Sequence, residues 1–575
     1  MGSPSTSMPT DEELLSLFAN QSLGRAMSRR FGLTDDAHLV AVGAACARLH
    51  NDGQLDLLAV IQRGEIQQLE GFAFFAAAHM FGQILPHMRT EPGPLMACIE
   101  SLVAQGGNDL AANEPNRAFR TWCAKNPEKA REIIDSAKAG NALAARNLTF
   151  ALEALGEIKI AQQLLGEADH GVRLAAVTAL GRIEDSELAS RQATLDLLAV
   201  LSREADETLR LASLQTVGFV LSQDAGGSVA DAIELIRHLV EDSTDQTIHA
   251  AALALSRYAG MRSPEVSAVL LTTVGKVKAE NKGTVDLLDD ALVTLLQEEK
   301  ADIALRFVAE LFRGKGDLKL TAFNSFLREL AEGSAHVLGR AVVDWLRSGE
   351  FRLCDALSET LRRSGSDAPI LNIEDHIRNL PSLEQVFICR KAIGWLFIKP
   401  QTAASILVSV LRVCDAGTSV EVQRHLVDPL LLNYGGIREY LQSIGKSDTA
   451  KSAVDAALAK NDAYLSALKG FPLIEELRPS EAHQQIQRTR LADQGRDIAK
   501  SARKQSVLLN FVKHSVMLFG RRSVSYVQGP GNELRAVETD LHSHQISFEY
   551  PRMEIADPVG LDYVLRVLRA ESIAR

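Results

Sequence analysis

Positively charged side chains concentrate near the end of the chain, where they could bind phosphate groups or an acidic protein surface. They are Arg496, Lys500, Arg503, Lys504, Arg521 and Arg522. The first four follow a helical spacing that gathers side chains on one face. Residues 486–575 carry a net charge of +4, whereas the rest of the chain carries −15. This basic cluster is a candidate contact for nucleic acid or an acidic partner, and the alternative is a solvated helix face.

A second set of residues has the types that bind metals. Asp540, His542 and His544 alternate along a predicted strand and would share one face of it. A polar stripe facing solvent has the same pattern, and no other His or Cys is close in the sequence. We therefore expect no metal site and no cofactor.

The motifs of the common enzyme classes are missing. The chain has no Gly-x-Ser-x-Gly elbow, no His-Glu-x-x-His and no Walker A loop. His79 and His87 lie in an apolar helical stretch, which favours core histidines over a general base. Trp122, Trp345 and Trp395 could stack on nucleobases, but their apolar surroundings favour the core. The sequence predicts a protein that is not an enzyme.

Composition narrows the compartment and the partners. The six cysteines are scattered without a Cys-x-x-Cys pair, which favours reduced thiols in a cytoplasmic protein. No apolar run has the 18 or more residues that a membrane span needs. A net charge of −11 argues against a protein coated uniformly for nucleic acid.

These residues must be positioned by a repeated helical element that is visible in the middle of the chain. Similar segments begin at Asp169, Asp206 and Asp245, which are 37 and 39 residues apart, and a fainter copy begins at Lys282. Self-similarity at this period is typical of stacked helical hairpins. The fold class is therefore predicted to be mainly α, an α-solenoid.

Each copy has the residues that a stacked helix needs. The first Asp is placed to cap the second helix of a pair, because its carboxylate can accept from exposed backbone N–H groups. The residue three positions later, such as Val172 or Leu209, starts the buried stripe. Small residues such as Ala176 and Ala251 would then allow neighbouring helices to approach closely.

The segment from Asp169 to Gly181 follows the pattern Asp-x-x-Val-Arg-x-Ala-Ala-x-x-Ala-Leu-Gly, and 206–218 follows it loosely. Here the chain resembles the HEAT family, most closely its short repeats related to the phycobilin lyase type. The resemblance covers about residues 165–290. It implies a structural ladder of Asp and Arg side chains, made by Asp169, Arg173, Asp206 and Arg210. His249 replaces the Arg in the third copy, and Lys282 and Asp286 replace the Asp and Arg in the fourth, so we expect the ladder to stop after the second copy.

Composition and turn residues suggest five regions. They are a disordered tail (1–10), an N-terminal helical region (11–125), the HEAT-like repeats (126–310), degenerate repeats or a separate helical domain (311–480) and an appended α+β module (481–575). The module is predicted to contain a long helix from Glu481 to Phe519 and a β-hairpin around Gly529-Pro-Gly-Asn. A terminal helix would place Leu561, Val564, Leu565 and Leu568 on one face.

A HEAT-like array specifies a scaffold and no particular reaction. We therefore expect a non-catalytic scaffold that binds a protein partner on its concave surface. The first alternative is a nucleic-acid-associated protein that uses the basic C-terminal helix. The second alternative is a helical-repeat enzyme acting on nucleic acid. The oligomeric state is left open.

Overall fold

The computed structural model describes residues 8–33, 35–107, 113–203, 206–223, 229–314, 318–363, 369–472, 474, 479–505, 522–528, 534–540 and 549–573. Over these residues the chain is almost entirely helical, with one two-stranded antiparallel sheet. The chain divides into two compact units, Met1–Phe326 and Leu327–Arg575. The predicted mainly α fold class is confirmed, and the five region boundaries stay predictions.

The first unit contains helices α1 to α18. They are α1 (Asp11–Ala19), α2 (Leu23–Ser28), α3 (Asp36–Asn51), α4 (Leu57–Gln62), α5 (Phe72–Ile84), α6 (Pro92–Gly106), α7 (Glu114–Lys125), α8 (Pro127–Lys138), α9 (Ala142–Leu155), α10 (Ile158–Leu164), α11 (His170–Leu180), α12 (Leu188–Leu201), α13 (Glu207–Ser222), α14 (Val229–Leu239), α15 (Asp245–Arg257), α16 (Pro264–Val274), α17 (Lys282–Gln297) and α18 (Ala301–Gly314). Helix α19 (Asn324–Glu332) contains the boundary between the units.

The second unit contains the remaining helices and both strands. They are α20 (Ala335–Ser348), α21 (Phe351–Arg363), α22 (Glu374–Ile377), α23 (Ser382–Leu396), α24 (Pro400–Val413), α25 (Ala416–His425), α26 (Ile437–Gln442), α27 (Lys451–Lys469), α28 (Glu481–Gln505), β1 (Arg522–Gln528), β2 (Leu534–Asp540), α29 (Arg552–Ala556) and α30 (Pro558–Ala570). Short 3₁₀ turns lie at Arg30–Gly32, Leu85–His87, Ala259–Arg262 and Leu320–Ala322, and a π turn lies at Leu426–Leu431.

Helices of the first unit stack in two rows. Helices α9, α11, α13, α15 and α17 pack in sequence against one another, and we call them the second-helix row. Helices α10, α12, α14, α16 and α18 form the other row. Each helix also packs against a chain neighbour in the opposite row, as α10 does with α11. This is the α-solenoid arrangement that the repeats predicted.

The helix N-termini explain why the repeats begin where they do. Asp169 Oδ1 accepts from Val172 N at 2.9 Å, and Asp206 Oδ1 accepts from Leu209 N at 3.0 Å. Both residues therefore cap their helices as predicted. The third copy differs, because Thr244 Oγ1 caps α15 by accepting from Thr247 N at 3.1 Å. The capping role expected of the first Asp in that copy was wrong.

The buried stripe matches the expected positions in all four copies. The side chains three residues after each copy begins are no more than 4% exposed; they are Val172, Leu209, Ile248 and Val285. Ala176 and Ala251 are fully buried between helices. Small residues also set the spacing of the pairs: a Cβ on Gly260 would lie 2.5 Å from the carbonyl carbon of Leu221, one repeat earlier. Helices of neighbouring repeats therefore approach closely where the sequence has small residues, as predicted.

Contacts between neighbouring helical pairs keep nearly the same sequence separation well beyond the legible repeats. Hydrogen bonds in the first unit join Trp122 to Met88, Thr216 to Val177 and Gln215 to Ala250, which are 34, 39 and 35 residues apart. Those in the second unit join Ser358 to Trp395, Leu371 to Ser405 and Arg412 to Asp448, which are 37, 34 and 36 residues apart. Pairing at about the repeat spacing therefore continues where the sequence pattern has faded.

The second unit is also layered. Helices α20, α23, α25 and α27 pack in sequence, and so do α22, α24 and α26. Strands β1 and β2 form an antiparallel hairpin in which Arg522 pairs with Asp540 and Tyr526 with Ala536. The predicted hairpin is confirmed, and its turn lies outside the described residues. Helix α30 packs against α23.

Among the described residues, no helix combines the length and the apolar character needed to cross a bilayer.

Candidate functional site

An open groove of about 640 Å³ crosses three neighbouring helices of the second-helix row. Its lining comes from α13, α15 and α17, and we call it the repeat groove. The residues that line it include Leu211, Gln215, His249, Leu253, Lys282 and Thr284. A continuous surface made by successive repeats is where helical-repeat proteins commonly hold a ligand. The repeat groove is therefore the candidate binding site of the first unit.

Small residues form the floor of the repeat groove. Ala212 and Ala250 lie between its larger side chains, and Ala250 is 8% exposed. Because these side chains are short, α13 and α15 approach closely and leave a depression above the contact. Leu211 and Leu253 are half-buried and provide apolar surface beside it.

Polar bridges between neighbouring helices hold the walls of the repeat groove. Gln215 Nε2 donates to the carbonyl oxygen of Ala250 at 2.9 Å. His249 Nδ1 and Thr284 Oγ1 are 3.0 Å apart. His249 is the residue that departs from the HEAT pattern, and it contacts the next repeat through this hydrogen bond. In place of the expected arginine, the groove therefore presents an exposed imidazole ring.

Ion pairs between repeats lie near the same helix ends. His170 Nε2 is 2.8 Å from Asp206 Oδ2, Arg210 Nη2 is 2.5 Å from Asp242 Oδ2, and Lys278 Nζ is 3.0 Å from Asp245 Oδ2. The hydrogen bond from Leu209 N lowers the pKa of Asp206, and His170 adds to that effect. The hydrogen bond from Lys278 lowers the pKa of Asp245.

The residues of the predicted ladder occupy these helices, with partners that the motif did not indicate. Asp169 caps α11, and Arg173 lies half-buried on the same helix. Asp206 pairs with a histidine of the preceding repeat, and Arg210 pairs with a carboxylate that precedes the third copy. Ionic contacts between repeats continue to Lys278 in the loop before α17. They therefore extend past the point where the ladder was expected to stop.

The structure places the basic cluster on and after the exposed helix α28. Arg496 and Lys500 are exposed, and Arg496 forms an ion pair with Asp493 on the preceding turn. Arg503 and Lys504 belong to the same helix, Arg522 begins β1, and Arg521 lies outside the described residues. The structure describes α28 as far as Gln505, so the predicted continuation to Phe519 lies outside the described residues. The Asp493 pair offsets part of the positive charge of the cluster.

The possible metal ligands are only partly described. Asp540 ends β2 opposite Arg522, and His542 and His544 lie outside the described residues. Within the described part of the chain, no three His, Cys, Asp or Glu side chains are arranged to hold a metal ion.

The cysteines are poorly suited to nucleophilic chemistry. All six are free, and all but Cys414 are buried. Burial raises the pKa of Cys46, Cys123 and Cys354 to about 12 and that of Cys98 to about 11. Since the thiolate is the reactive form, these thiols are inert near neutral pH.

The tryptophans are core residues, as the apolar surroundings predicted. Trp122, Trp345 and Trp395 are 0%, 1% and 4% exposed. Trp122 Nε1 donates to the carbonyl oxygen of Met88 at 2.9 Å. None of the three therefore provides an open stacking platform for a nucleobase.

The interpretation of His79 and His87 as core histidines was wrong. Both are exposed, although neighbouring positions on α5 are buried. His79 lies 3.6 Å from Glu114, and partial burial together with Lys125 lowers the pKa of His87. The segment that contains them is apolar overall, but one face of its helix meets solvent. A narrow solvent-facing stripe is hard to recognise in a short, mostly apolar sequence.

Sequence reasoning missed a polar cluster on α23. Lys391 is fully buried, and burial lowers the pKa of its ammonium group. Its neighbour Arg390 forms ion pairs with Glu421 and with Glu571 near the end of the chain. The only signal in the sequence is a pair of adjacent cations inside the otherwise apolar stretch 386–396. The partner Glu571 is 181 residues away, so no local pattern could reveal it.

No protein family model and no curated protein matches the chain. Several solved structures are similar to it, including the following two. One is a crystal structure of an engineered protein from the Northeast Structural Genomics Consortium, with 15% identity over 76% of this chain and 98% of that chain, at a TM-score of 0.18. The other is a circular tandem repeat protein with novel repeat topology and enhanced subunit contact surfaces, with 12% identity over 80% of this chain and 90% of that chain, at a TM-score of 0.19. The repeat architecture follows from the helix packing described above and does not depend on these similarities.

Proposed function

We propose that this protein is a non-catalytic HEAT-like scaffold of the cytoplasm that binds a segment of a protein partner in the repeat groove. The observation that carries the proposal is the groove itself, an open depression across three successive repeats with an apolar floor and polar walls. An apolar floor contributes affinity through burial, and the polar walls fix the orientation of the bound segment.

The polar walls carry both signs of charge. Asp245 on α15 and Lys282 on α17 both line the groove, and His249 follows Asp245 by one turn of α15. A groove without a strong excess of positive charge suits a peptide better than a phosphate backbone, because phosphate binding depends on releasing counterions from several cations. The free thiols support the cytoplasmic part of the proposal.

A pair of charge substitutions tests the groove. In the full-length protein, His249→Glu with Lys282→Glu changes two exposed groove residues. We expect proteins that co-purify from the source cell to decrease at least tenfold, because the bound segment would meet a reversed charge. Quantitative mass spectrometry of the co-purified proteins gives the measurement.

The control makes a similar charge change away from the groove. Lys138→Glu with Lys159→Glu alters exposed positions on α8 and on the other row. This double variant should retain the same co-purified proteins as the wild type. If both double variants lose the same partners, or neither does, the partner does not bind in the repeat groove.

The nucleic-acid alternative has its own test. If the exposed Arg496 and Lys500 contacted phosphates, the logarithm of the binding constant for DNA or RNA would fall steeply with the logarithm of salt concentration. Each cation that contacts a phosphate contributes about 1 to that slope, so reversing both charges would reduce it by about 2. A scaffold for protein partners should show no such binding in a filter or anisotropy assay.

A further inference from the structure

Residues 549–573, which we call the C-terminal segment, lie against the second unit. Helix α30 in this segment crosses α23 at Gly394. A Cβ on Gly394 would lie 3.1 Å from Leu568 Cβ and 3.2 Å from Arg569 N. The nearest atoms to such a side chain therefore belong to α30. The absence of a side chain at Gly394 is what allows the two helices to cross this closely.

Polar contacts hold the end of α30. Arg390 Nη1 is 2.7 Å from Glu571 Oε1, and Arg569 Nε donates to the carbonyl oxygen of Gly394 at 2.5 Å. The buried Lys391 donates from Nζ to the carbonyl oxygen of Arg569. A cation at this place also interacts favourably with the negative end of the α30 dipole.

A second anchor lies at the start of the C-terminal segment. The carboxylate of Glu549 accepts from Gly435 N at 2.6 Å and from Gly436 N at 2.9 Å. Met553 N donates to Asn433 Oδ1 at 2.9 Å. Two successive backbone N–H groups thus bind one carboxylate, which is how proteins often capture an acidic group of a peptide.

The apolar part of the contact is small. Leu561 and Leu568 are the buried side chains of α30, at 5% and 9% exposed, and α29 has none. Val564, predicted on the same face, is 41% exposed. Two apolar anchors, seven residues apart, with polar contacts at both ends are typical of a helix bound in a groove.

We propose that the α23 surface of the second unit is a helix-binding site and that the C-terminal segment is its displaceable intramolecular ligand. The segment excludes other helices that carry the same chemistry: two leucines seven residues apart, an arginine after the second leucine and a carboxylate two residues later. The segment belongs to the same chain as its site, so it binds there at a high effective concentration. This inference concerns a different surface from the repeat groove and does not depend on it.

A labelled peptide of residues 549–573 tests the proposal by fluorescence anisotropy. The full-length wild-type protein should bind it weakly, because its own segment covers the site. Full-length Leu561→Asp with Leu568→Asp should bind the peptide at least tenfold more tightly, because the resident segment has lost both apolar anchors. Adding Gly394→Val should remove that gain, because the new side chain blocks the crossing.

A matched control changes the opposite face of α30. Val559 and Val567 are 78% and 48% exposed, so Val559→Asp with Val567→Asp should bind the peptide as weakly as the wild type. Equal affinity in the wild type and in the Leu561/Leu568 variant would overturn the proposal. Loss of cooperative thermal unfolding in the Leu561/Leu568 variant would also overturn it, because the segment would then be an integral part of the core.

Discussion

Single charged residues connect neighbouring pairs of helices, and Arg412 shows how. Its Nη1 lies 2.9 Å from Glu374 Oε1, and its Nη2 lies 2.8 Å from Asp448 Oδ2. Burial raises the pKa of Asp448, but the hydrogen bonds from Arg412 outweigh this effect and the pKa is lowered overall. One arginine thus joins two carboxylates that come from different helical pairs, 38 and 36 residues away.

Replacing Arg412 with methionine should lower the free energy of unfolding of the second unit by about 2 kcal/mol at pH 7, because two partly buried carboxylates lose their counter-charge. Arg566→Met is the control: this arginine is 75% exposed in its pair with Asp562, and we expect a change below about 0.5 kcal/mol. Chemical denaturation of both variants measures the difference. An equal loss of unfolding free energy in the two variants would show that the Arg412 bridge contributes no more than an exposed ion pair.

The same bridge predicts a dependence on pH. The pKa of Asp448 is lower in the folded than in the unfolded protein, so its contribution is present above the unfolded-state pKa of about 4 and is lost as the pH falls through the folded-state value. The wild-type second unit should therefore lose more stability between pH 5 and acidic pH than Arg412→Met does. Thermal melts of both proteins across this pH range test the prediction. The same decrease of melting temperature with pH in the two proteins would contradict it.

At the scale of the element, caps determine where each repeated helix begins. Asp206 caps α13 and Thr244 caps α15, whereas Asp245 is the first residue inside its helix. We expect Asp206→Ala and Thr244→Ala each to cost about 1 kcal/mol, because a backbone N–H group at the helix start loses its acceptor. Asp245→Ala should cost less, although the repeat alignment places it at the Asp206 position. Urea denaturation distinguishes the three, and the largest loss at Asp245 would contradict the assigned cap.

Close contacts between elements predict opposite effects for two glycines. A Cβ at Gly260 would lie 2.5 Å from a backbone carbon of Leu221, whereas a Cβ at Gly283 would meet nothing within 4 Å. Gly260→Ala should therefore destabilise the first unit by about 1–3 kcal/mol, since backbone atoms would have to shift. Gly283→Ala should be neutral or stabilising, because alanine favours the helix of which this residue is a part. Denaturant titrations that ranked the two variants the other way would refute the described packing.

Helical elements were predictable because their signals are local. The Asp caps and the apolar stripe each lie within a few residues. The exposed side of α5, with His79, was missed because an apolar composition hides one solvated face. The cap at Thr244 was missed because a Thr followed by an Asp offers two capping side chains, and only the backbone geometry of the folded chain selects between them.

At the scale of the whole molecule, the chain forms two compact units, each with its own buried core. Units of this kind unfold separately when their cores are independent. We expect calorimetry of the full-length protein to show two transitions. Gly260→Ala should lower the melting temperature of one, and Arg412→Met should lower that of the other. A single transition that both substitutions shift equally would show that the units unfold together.

The candidate site was only partly predictable. The sequence indicated that residues 206–218 and 245–255 form stacked helices, and these helices line the repeat groove. The sequence could not show that Gln215 and His249 bridge to the next repeat, since similar polar residues also occur on solvated faces. Nor could it show whether the basic cluster binds phosphate, which stays a prediction.

By itself, the sequence determined a mainly helical chain whose pairs repeat at about 37 residues, because caps, apolar spacing and small residues act within one or two turns. Tertiary structure alone decided that this spacing persists beyond the legible copies and that the C-terminal segment covers α23. Those contacts join residues as far apart as Gly394 and Arg569, separated by 175 positions. Their free energy depends on shape and charge that meet only after the helices have stacked, so no local pattern encodes them.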